Sequence, residues 1–230
     1  MPKKDILAYS VHFLTASGMA AGMYAFIAIH NGQLQMALWM LGLSVFIDSI
    51  DGTLARRWNT KTRAPLYDGA LMDNIIDYVT WAILPLYWAY VAMDIPPWVL
   101  LIAATASVLG FSNTNAKTDD HFFKGFPSYW NFIVLYCYLL SAGPTIMTIL
   151  LLICTILIFV PIKYVYPSRT IFMQKTTLLL GSIYIIQLIA ILYFLRDSPN
   201  WLIFSSLLFP IYYILLSGYL NLQQPVTTNR

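Results

Sequence analysis

Charged residues are scarce in this chain of 230 residues. Only 10% of the residues are charged, whereas 59% are hydrophobic, and the mean hydropathy is +0.68. This composition excludes an ordinary soluble domain and indicates a membrane protein. The net charge is only +3, so charge gives no reason to expect a nucleic-acid partner.

Cysteine and glutamate are also rare or missing. The two cysteines, Cys137 and Cys154, lie in apolar runs without metal-ligand spacing, so we expect buried packing residues. The chain has no glutamate, and five of its ten aspartates fall between positions 48 and 77. That clustering predicts a single functional site.

Apolar stretches dominate the rest of the sequence. Spans of about 20 residues cross a hydrocarbon core of roughly 30 Å. We predict an all-α, polytopic integral membrane protein of about eight transmembrane helices, in one membrane-embedded catalytic domain over 1–230. The predicted spans are 9–29, 33–55, 70–93, 97–113, 128–142, 144–165, 173–195 and 199–220. The fourth and fifth of these spans are short, so the lower limit is six transmembrane helices.

Lysine and arginine are unevenly distributed among the predicted loops. Cytoplasmic loops retain positive charge, which predicts a cytoplasmic N-terminus. With that orientation only Arg196 falls outside. The cytoplasmic set is Lys3, Lys4, Arg56, Arg57, Lys61, Arg63, Lys117, Lys124, Lys163, Arg169, Lys175 and Arg230.

The first part of the acidic cluster lies on a predicted helix over 33–58. About 14 apolar residues, roughly 21 Å of helix, precede Asp48, so Asp48 and Asp51 lie below the membrane surface. At 100° per residue these two aspartates share one helix face with Gly52 and Ala55.

The second part lies on a predicted helix over 69–93. Gly69, Asp73 and Asp77 follow one another at intervals of four, again on one face. Because the intervening loop is cytoplasmic, both parts lie at the same depth. Four carboxylates can therefore converge.

Converging carboxylates repel one another unless cations compensate them. Pairing with intramembrane lysine or arginine is the alternative, but only Arg56 lies nearby. All-oxygen ligand sets suit Mg²⁺, Mn²⁺ or Ca²⁺. Two such ions would balance the four negative charges.

Small residues accompany the aspartates. Gly52, Ala55 and Gly69 leave bare helix surface, which suits either close approach of a ligand or helix packing. Arg56 adds a guanidinium group suited to phosphate. Together these residues predict a diphosphate-binding cleft and phosphoryl transfer to or from a lipid.

The order and spacing of these eight positions resemble the signature of the CDP-alcohol phosphotransferases. The linker from Arg57 to Asp68 has twelve residues, more than in most of that family. This linker and the stretch NAKTDDHFFKGFPSYWN at 115–131 resemble the bacterial phosphatidylcholine synthases. About eight spans, a six-helix family core plus two, also suit that branch.

The resemblance implies a transferase that joins choline to CDP-diacylglycerol, forming phosphatidylcholine and releasing CMP. It also implies a homodimer in the bacterial inner membrane, with the site on the cytoplasmic side. Asp77 would be the general base. The implied ligands of two Mn²⁺ or Mg²⁺ ions are Asp48, Asp51, Asp73 and Asp77, and the implied CDP-diacylglycerol contacts are Gly52, Ala55, Arg56 and Gly69.

The choline site is a separate prediction. Aromatic faces bind quaternary ammonium groups, and Tyr129 and Trp130 lie at the predicted cytoplasmic start of the fifth span. Both residue types are also common at membrane interfaces, so a simple interfacial belt stays open. On the first span, His12 begins the stretch HFLTASG near the predicted cytoplasmic end, and Thr15 in that stretch could face the nucleotide, although we expect it to be a packing residue.

Two alternative functions remain at this stage. One is the same chemistry with serine, inositol or glycerol phosphate as acceptor. The other is a divalent-cation transporter, since intramembrane aspartates also mark ion pathways. The third span beyond Asp77 carries no charge, so the sequence offers no exit path for an ion.

Overall fold

The computed structural model describes residues 3–116, 118, 120, 122–167 and 170–223. Lys117, Arg169 and Arg230, which contributed to the predicted orientation, lie outside these residues. The chain forms two compact units, Met1–Asp94 and Ile95–Arg230. That both belong to one catalytic domain stays a prediction.

All regular secondary structure in the described residues of the first unit is helical. It contains α1 (Lys3–His30), α2 (Leu34–Trp58), α3 (Thr60–Arg63), α4 (Gly69–Asp77), a π-helix (Tyr78–Ile83) and α5 (Leu84–Met93). Helix α1 is central to this unit, since it packs against α2, α3, α4 and α5.

Small residues on α1 permit this packing. A Cβ atom on Gly18 would lie 3.3 Å from Cγ2 of Ile76, and one on Gly22 would lie 3.0 Å from Cγ2 of Thr80. Larger side chains would therefore push α1 away from the helix that carries Asp73 and Asp77. Small residues are the usual means by which membrane helices approach closely.

One long helix contains α4, the π-helix and α5, and it spans Gly69–Met93. The π-helix begins directly after Asp77. Pro85 then occupies the start of α5, where it has no N–H to donate to the preceding turn. A π-helical turn within an α-helix is rare and frequently marks a functional site.

The second unit is mostly helical. Its helices are α6 (Pro97–Phe111), α7 (Trp130–Leu139), α8 (Pro144–Phe159), α9 (Gln174–Phe194), a 3₁₀ turn (Leu195–Asp197), α10 (Asn200–Ser206) and α11 (Leu208–Gln223). Cys137 is buried and Cys154 partly buried, and both are free thiols, as expected for packing residues.

A short antiparallel sheet, which the sequence did not predict, belongs to this unit. Strands β1 (Phe122–Lys124) and β2 (Lys163–Val165) pair with Phe123 opposite Tyr164. Gly125 follows β1 with φ +84°, and a Cβ there would collide with the carbonyl oxygen of Ile158. Glycine is therefore required at this turn.

The helices confirm the predicted all-α membrane architecture. Within the described residues, five helices are long and apolar enough to cross a membrane: Lys4–His30, Leu34–Trp58, Gly69–Met93, Gln174–Asp197 and Asn200–Gln223. Three shorter apolar helices, α6, α7 and α8, coincide with the fourth to sixth predicted spans. The predicted span 144–165 is too long, because the chain becomes extended at Val160, before Pro161.

Candidate active site

Three of the predicted carboxylates converge between α2 and α4. Asp48 lies on α2, and Asp73 and Asp77 lie one turn apart on α4. One oxygen of each carboxylate can be chosen so that all three lie within 4.8 Å of one another. All three residues are half-buried. The two motif helices, α2 and α4, therefore bring these three carboxylates together, as predicted.

The fourth predicted ligand, Asp51, has a different environment. Its side chain is only 6% exposed, and its Oδ2 accepts a hydrogen bond of 2.7 Å from Oγ1 of Thr15 on α1. Asp51 is not part of the group that Asp48 forms with the two aspartates of α4. Thr15 is itself buried, as expected for a packing residue, and its hydroxyl also holds one of the predicted carboxylates in place.

The fifth aspartate of the cluster caps a helix. Oδ1 of Asp68 accepts hydrogen bonds from the backbone N–H groups of Ala70, at 3.0 Å, and Leu71, at 3.1 Å. These are the N2 and N3 positions of α4, where a capping aspartate normally bonds. Asp68 therefore fixes the start of the helix that carries Asp73 and Asp77.

The end of α2 carries the predicted phosphate-binding group. Arg56 is exposed, and its Nη2 donates to Oγ1 of Thr53 at 3.1 Å. Nη1 lies 3.6 Å from the position of a Cβ on Gly52, so the guanidinium lies against the side of the helix that Gly52 leaves bare. Ala55 is half-buried on the same helix.

Gly69 contacts a residue that the sequence did not assign to the site. A Cβ on Gly69 would lie 3.1 Å from Cε1 and 3.4 Å from Nδ1 of His12. Thus α1 contacts both halves of the motif, Asp51 through Thr15 and Gly69 through His12. The sequence spacing could have indicated both contacts, because His12 and Thr15 are three positions apart and therefore share one face of α1.

The linker between α2 and α4 also packs against α1. Nη1 of Arg63, in α3, lies 3.6 Å from Oδ1 of Asp5. The ring of Tyr67 meets the rings of Tyr9 and His12 edge to face, with centroids 6.3 Å and 5.8 Å away. The twelve-residue linker thus places an aromatic side chain beside His12.

The predicted choline-binding residues lie at the start of α7 in the second unit. Tyr129 is half-buried, and its ring contacts Phe126, Phe132 and Tyr213 edge to face. Trp130 is fully buried, and its indole N–H donates to Oγ of Ser107 at 2.8 Å. Tyr129 therefore has the more accessible ring, whereas Trp130 is buried, and both rings contact Phe126 edge to face.

The donor chemistry of the three converging carboxylates fits a divalent cation. Asp48, Asp73 and Asp77 offer only carboxylate oxygens, which are ligands for hard ions such as Mg²⁺ and Mn²⁺. Their spacing allows one ion to reach all three. These residues could therefore hold a metal.

Comparison with known proteins identifies the family. The sequence profile of the CDP-alcohol phosphatidyltransferases matches residues 10–212, which include both motif helices. The chain belongs to this family. It is accordingly a membrane-embedded phosphatidyltransferase, and the transporter alternative is no longer needed.

Several proteins similar to this chain are named phosphatidylcholine synthase. The chain is 44% identical over 163 residues to a phosphatidylcholine synthase of Legionella bozemanae, covering 69% of this chain and 75% of that protein. It is 40% identical over 177 residues to one of Legionella pneumophila, covering 75% and 69%. It is 31% identical over 225 residues to one of Agrobacterium fabrum, covering 96% and 93%.

The bond between Thr15 and Asp51 makes a testable prediction. We expect Thr15→Val to destabilise the protein by about 1.5–3 kcal/mol, because a buried carboxylate loses a hydrogen bond. Thr15→Ser keeps the hydroxyl and should lose less than half of that. The measurement is the free energy of unfolding in detergent, and a Val variant as stable as wild type would contradict the assignment.

Proposed function

We propose that this protein is a phosphatidylcholine synthase, which transfers the phosphatidyl group of CDP-diacylglycerol to choline and releases CMP. The observation that carries the proposal is the group of Asp48, Asp73 and Asp77 on two helices of a CDP-alcohol phosphatidyltransferase. The shared name of its relatives supports choline as the acceptor.

In the proposed reaction, the choline hydroxyl oxygen bonds to the phosphorus that carries diacylglycerol. The bond from that phosphorus to the oxygen bridging to CMP breaks, and CMP leaves. Asp77 accepts the hydroxyl proton on a carboxylate oxygen. Its place at the junction of α4 and the π-helix supports this role, because π-helical turns within α-helices frequently occur at functional sites.

We assign Asp48, Asp51, Asp73 and Asp77 to two divalent ions, Mn²⁺ or Mg²⁺. Bound ions would neutralise the carboxylates and polarise the phosphoryl oxygens of the substrate. Asp51, oriented by Thr15, would complete the set that the other three begin.

The nucleotide contacts are assigned to the remaining motif positions. Gly52, Ala55 and Gly69 leave room for the cytidine diphosphate group along α2 and α4. Arg56 is exposed at the end of α2, so its guanidinium is available to the phosphates.

Choline binding is assigned to the aromatic residues that precede and begin α7. The face of Tyr129 would contact the quaternary ammonium group, and buried Trp130 would support it through Phe126, which both rings contact.

The proposed location is the bacterial inner membrane, with the N-terminus and the active site on the cytoplasmic side. The distribution of lysine and arginine supports this orientation. A homodimer stays a prediction.

The reaction can be tested in membranes that contain the protein. Given CDP-diacylglycerol, choline and Mn²⁺ or Mg²⁺, we expect CMP release and phosphatidylcholine formation, both abolished by a chelator. Membranes carrying Asp48→Asn are the control. CMP release that needs serine, inositol or glycerol phosphate in place of choline would contradict the proposed acceptor.

The general base can be tested separately. We expect Asp77→Asn to lower the rate of CMP release at least 100-fold, the usual minimum for general-base catalysis, while the protein still inserts and binds CMP. Asp94→Asn is a matched control on the same long helix, because Asp94 lies at its far end with φ 53°, which asparagine tolerates. Near-normal turnover by Asp77→Asn would exclude Asp77 as the base.

The choline site can be tested at Tyr129. We expect Tyr129→Leu to raise the KM for choline about tenfold, because the aromatic face is lost, and Tyr129→Phe to leave it within about twofold. The KM for CDP-diacylglycerol should not change in either variant. Equal effects on both KM values would favour the membrane-interface interpretation.

A further inference from the structure

His12 is a buried polar residue outside the family motif. Its side chain is only 4% exposed, and its Nε2 has no hydrogen-bond partner among the described residues. A buried nitrogen without a partner costs free energy, and an interaction that forms only when another molecule binds is one way to recover that cost.

The imidazole ring is held against α4. Its Cε1 and Nδ1 atoms lie 3.1 Å and 3.4 Å from the position of a Cβ on residue 69, so a side chain there would require a small shift of the ring. Tyr67 meets the same ring edge to face at 5.8 Å. Gly69 and Tyr67 at the end of the linker therefore confine the imidazole ring. Nε2 is bonded to Cε1, the ring atom that faces Gly69, so it lies close to this glycine.

Nearby backbone donors are already in use. The N–H groups of Ala70 and Leu71, which follow Gly69 at the start of α4, donate to Asp68. A nucleotide that packs against Gly69 cannot use these groups without displacing the cap. The Nε2 atom of His12, in contrast, has no partner among the described residues and could bond to the nucleotide.

We propose that His12 binds the cytidine nucleotide portion of CDP-diacylglycerol through Nε2. This proposal rests on the assignment of Gly69 to the nucleotide site. One face of α1 thus supplies two polar groups: Thr15 orients Asp51, and His12, one turn earlier, contacts the substrate. Whether Nε2 donates or accepts is set by the tautomer of the ring.

The first test uses the wild-type protein, so it does not depend on a variant folding. The chain has three histidines, and ¹⁵N-histidine labelling therefore gives few signals. We expect saturating CMP to shift the Nε2 resonance of His12 and to leave that of His30 unchanged. His30 is exposed at the other end of α1, with Nδ1 3.3 Å from the hydroxyl of Tyr87. An unmoved His12 resonance in the CMP-bound protein would overturn the proposal.

The second test separates binding from packing. Gln and Met have similar lengths, but only Gln carries a hydrogen-bonding group near the position of Nε2. We expect the KM for CDP-diacylglycerol to be about tenfold higher in His12→Met than in His12→Gln, with equal KM values for choline. His30→Met is the control and should match wild type. Equal CDP-diacylglycerol KM values for the Gln and Met variants would show that His12 only packs.

Failure of this inference can be distinguished from failure of the proposed function. CMP binding does not depend on the acceptor alcohol, so a CMP-induced shift at His12 would stand even if the enzyme used serine or inositol. Conversely, choline-dependent CMP release with equal KM values in the Gln and Met variants would leave the function intact and remove His12 from the site.

Discussion

The free-energy cost of carboxylates in a membrane helix is the constraint on which the first unit depends. Asp48, Asp73 and Asp77 come within a few ångströms of one another, and Asp51 is buried on the same helix as Asp48. Such a group is stable only if other groups compensate its charge. Part of the compensation comes from the protein, because Thr15 donates to Asp51. The three converging carboxylates could hold a divalent cation, which would supply further compensation and would also favour an anionic substrate.

Helix α1 carries none of the motif, yet it positions both motif helices. Gly18 and Gly22 allow close contact with the long helix of Asp73 and Asp77, and Thr15 bonds to Asp51 on α2. The linker is attached to the same helix through the ion pair of Arg63 with Asp5. The separation between the two halves of the carboxylate group is therefore set by a third helix.

Much of this arrangement follows from the sequence. Apolar run lengths predict the long helices, and the interval of four between Asp73 and Asp77 predicts their shared face, since both are local properties. Contacts between distant residues are different. Thr15 and Asp51 are 36 positions apart, and no local pattern pairs them. The two strands are not predictable from the sequence, because three residues are too few for a periodic signal. The predicted sixth span is too long because apolar residues continue past Val160, where the helix ends.

The π-helix after Asp77 determines which side of the long helix Gly69–Met93 faces its neighbours beyond that residue. A π turn holds one residue more than an α turn, so it shifts the phase of everything beyond it by about 100°. The face presented by Leu84–Met93 is therefore rotated by about 100° from the face that an uninterrupted α-helix would place in line with Asp73 and Asp77. The packing contacts of Leu84–Met93 thus lie on a side of the helix that the spacing of the two aspartates does not predict.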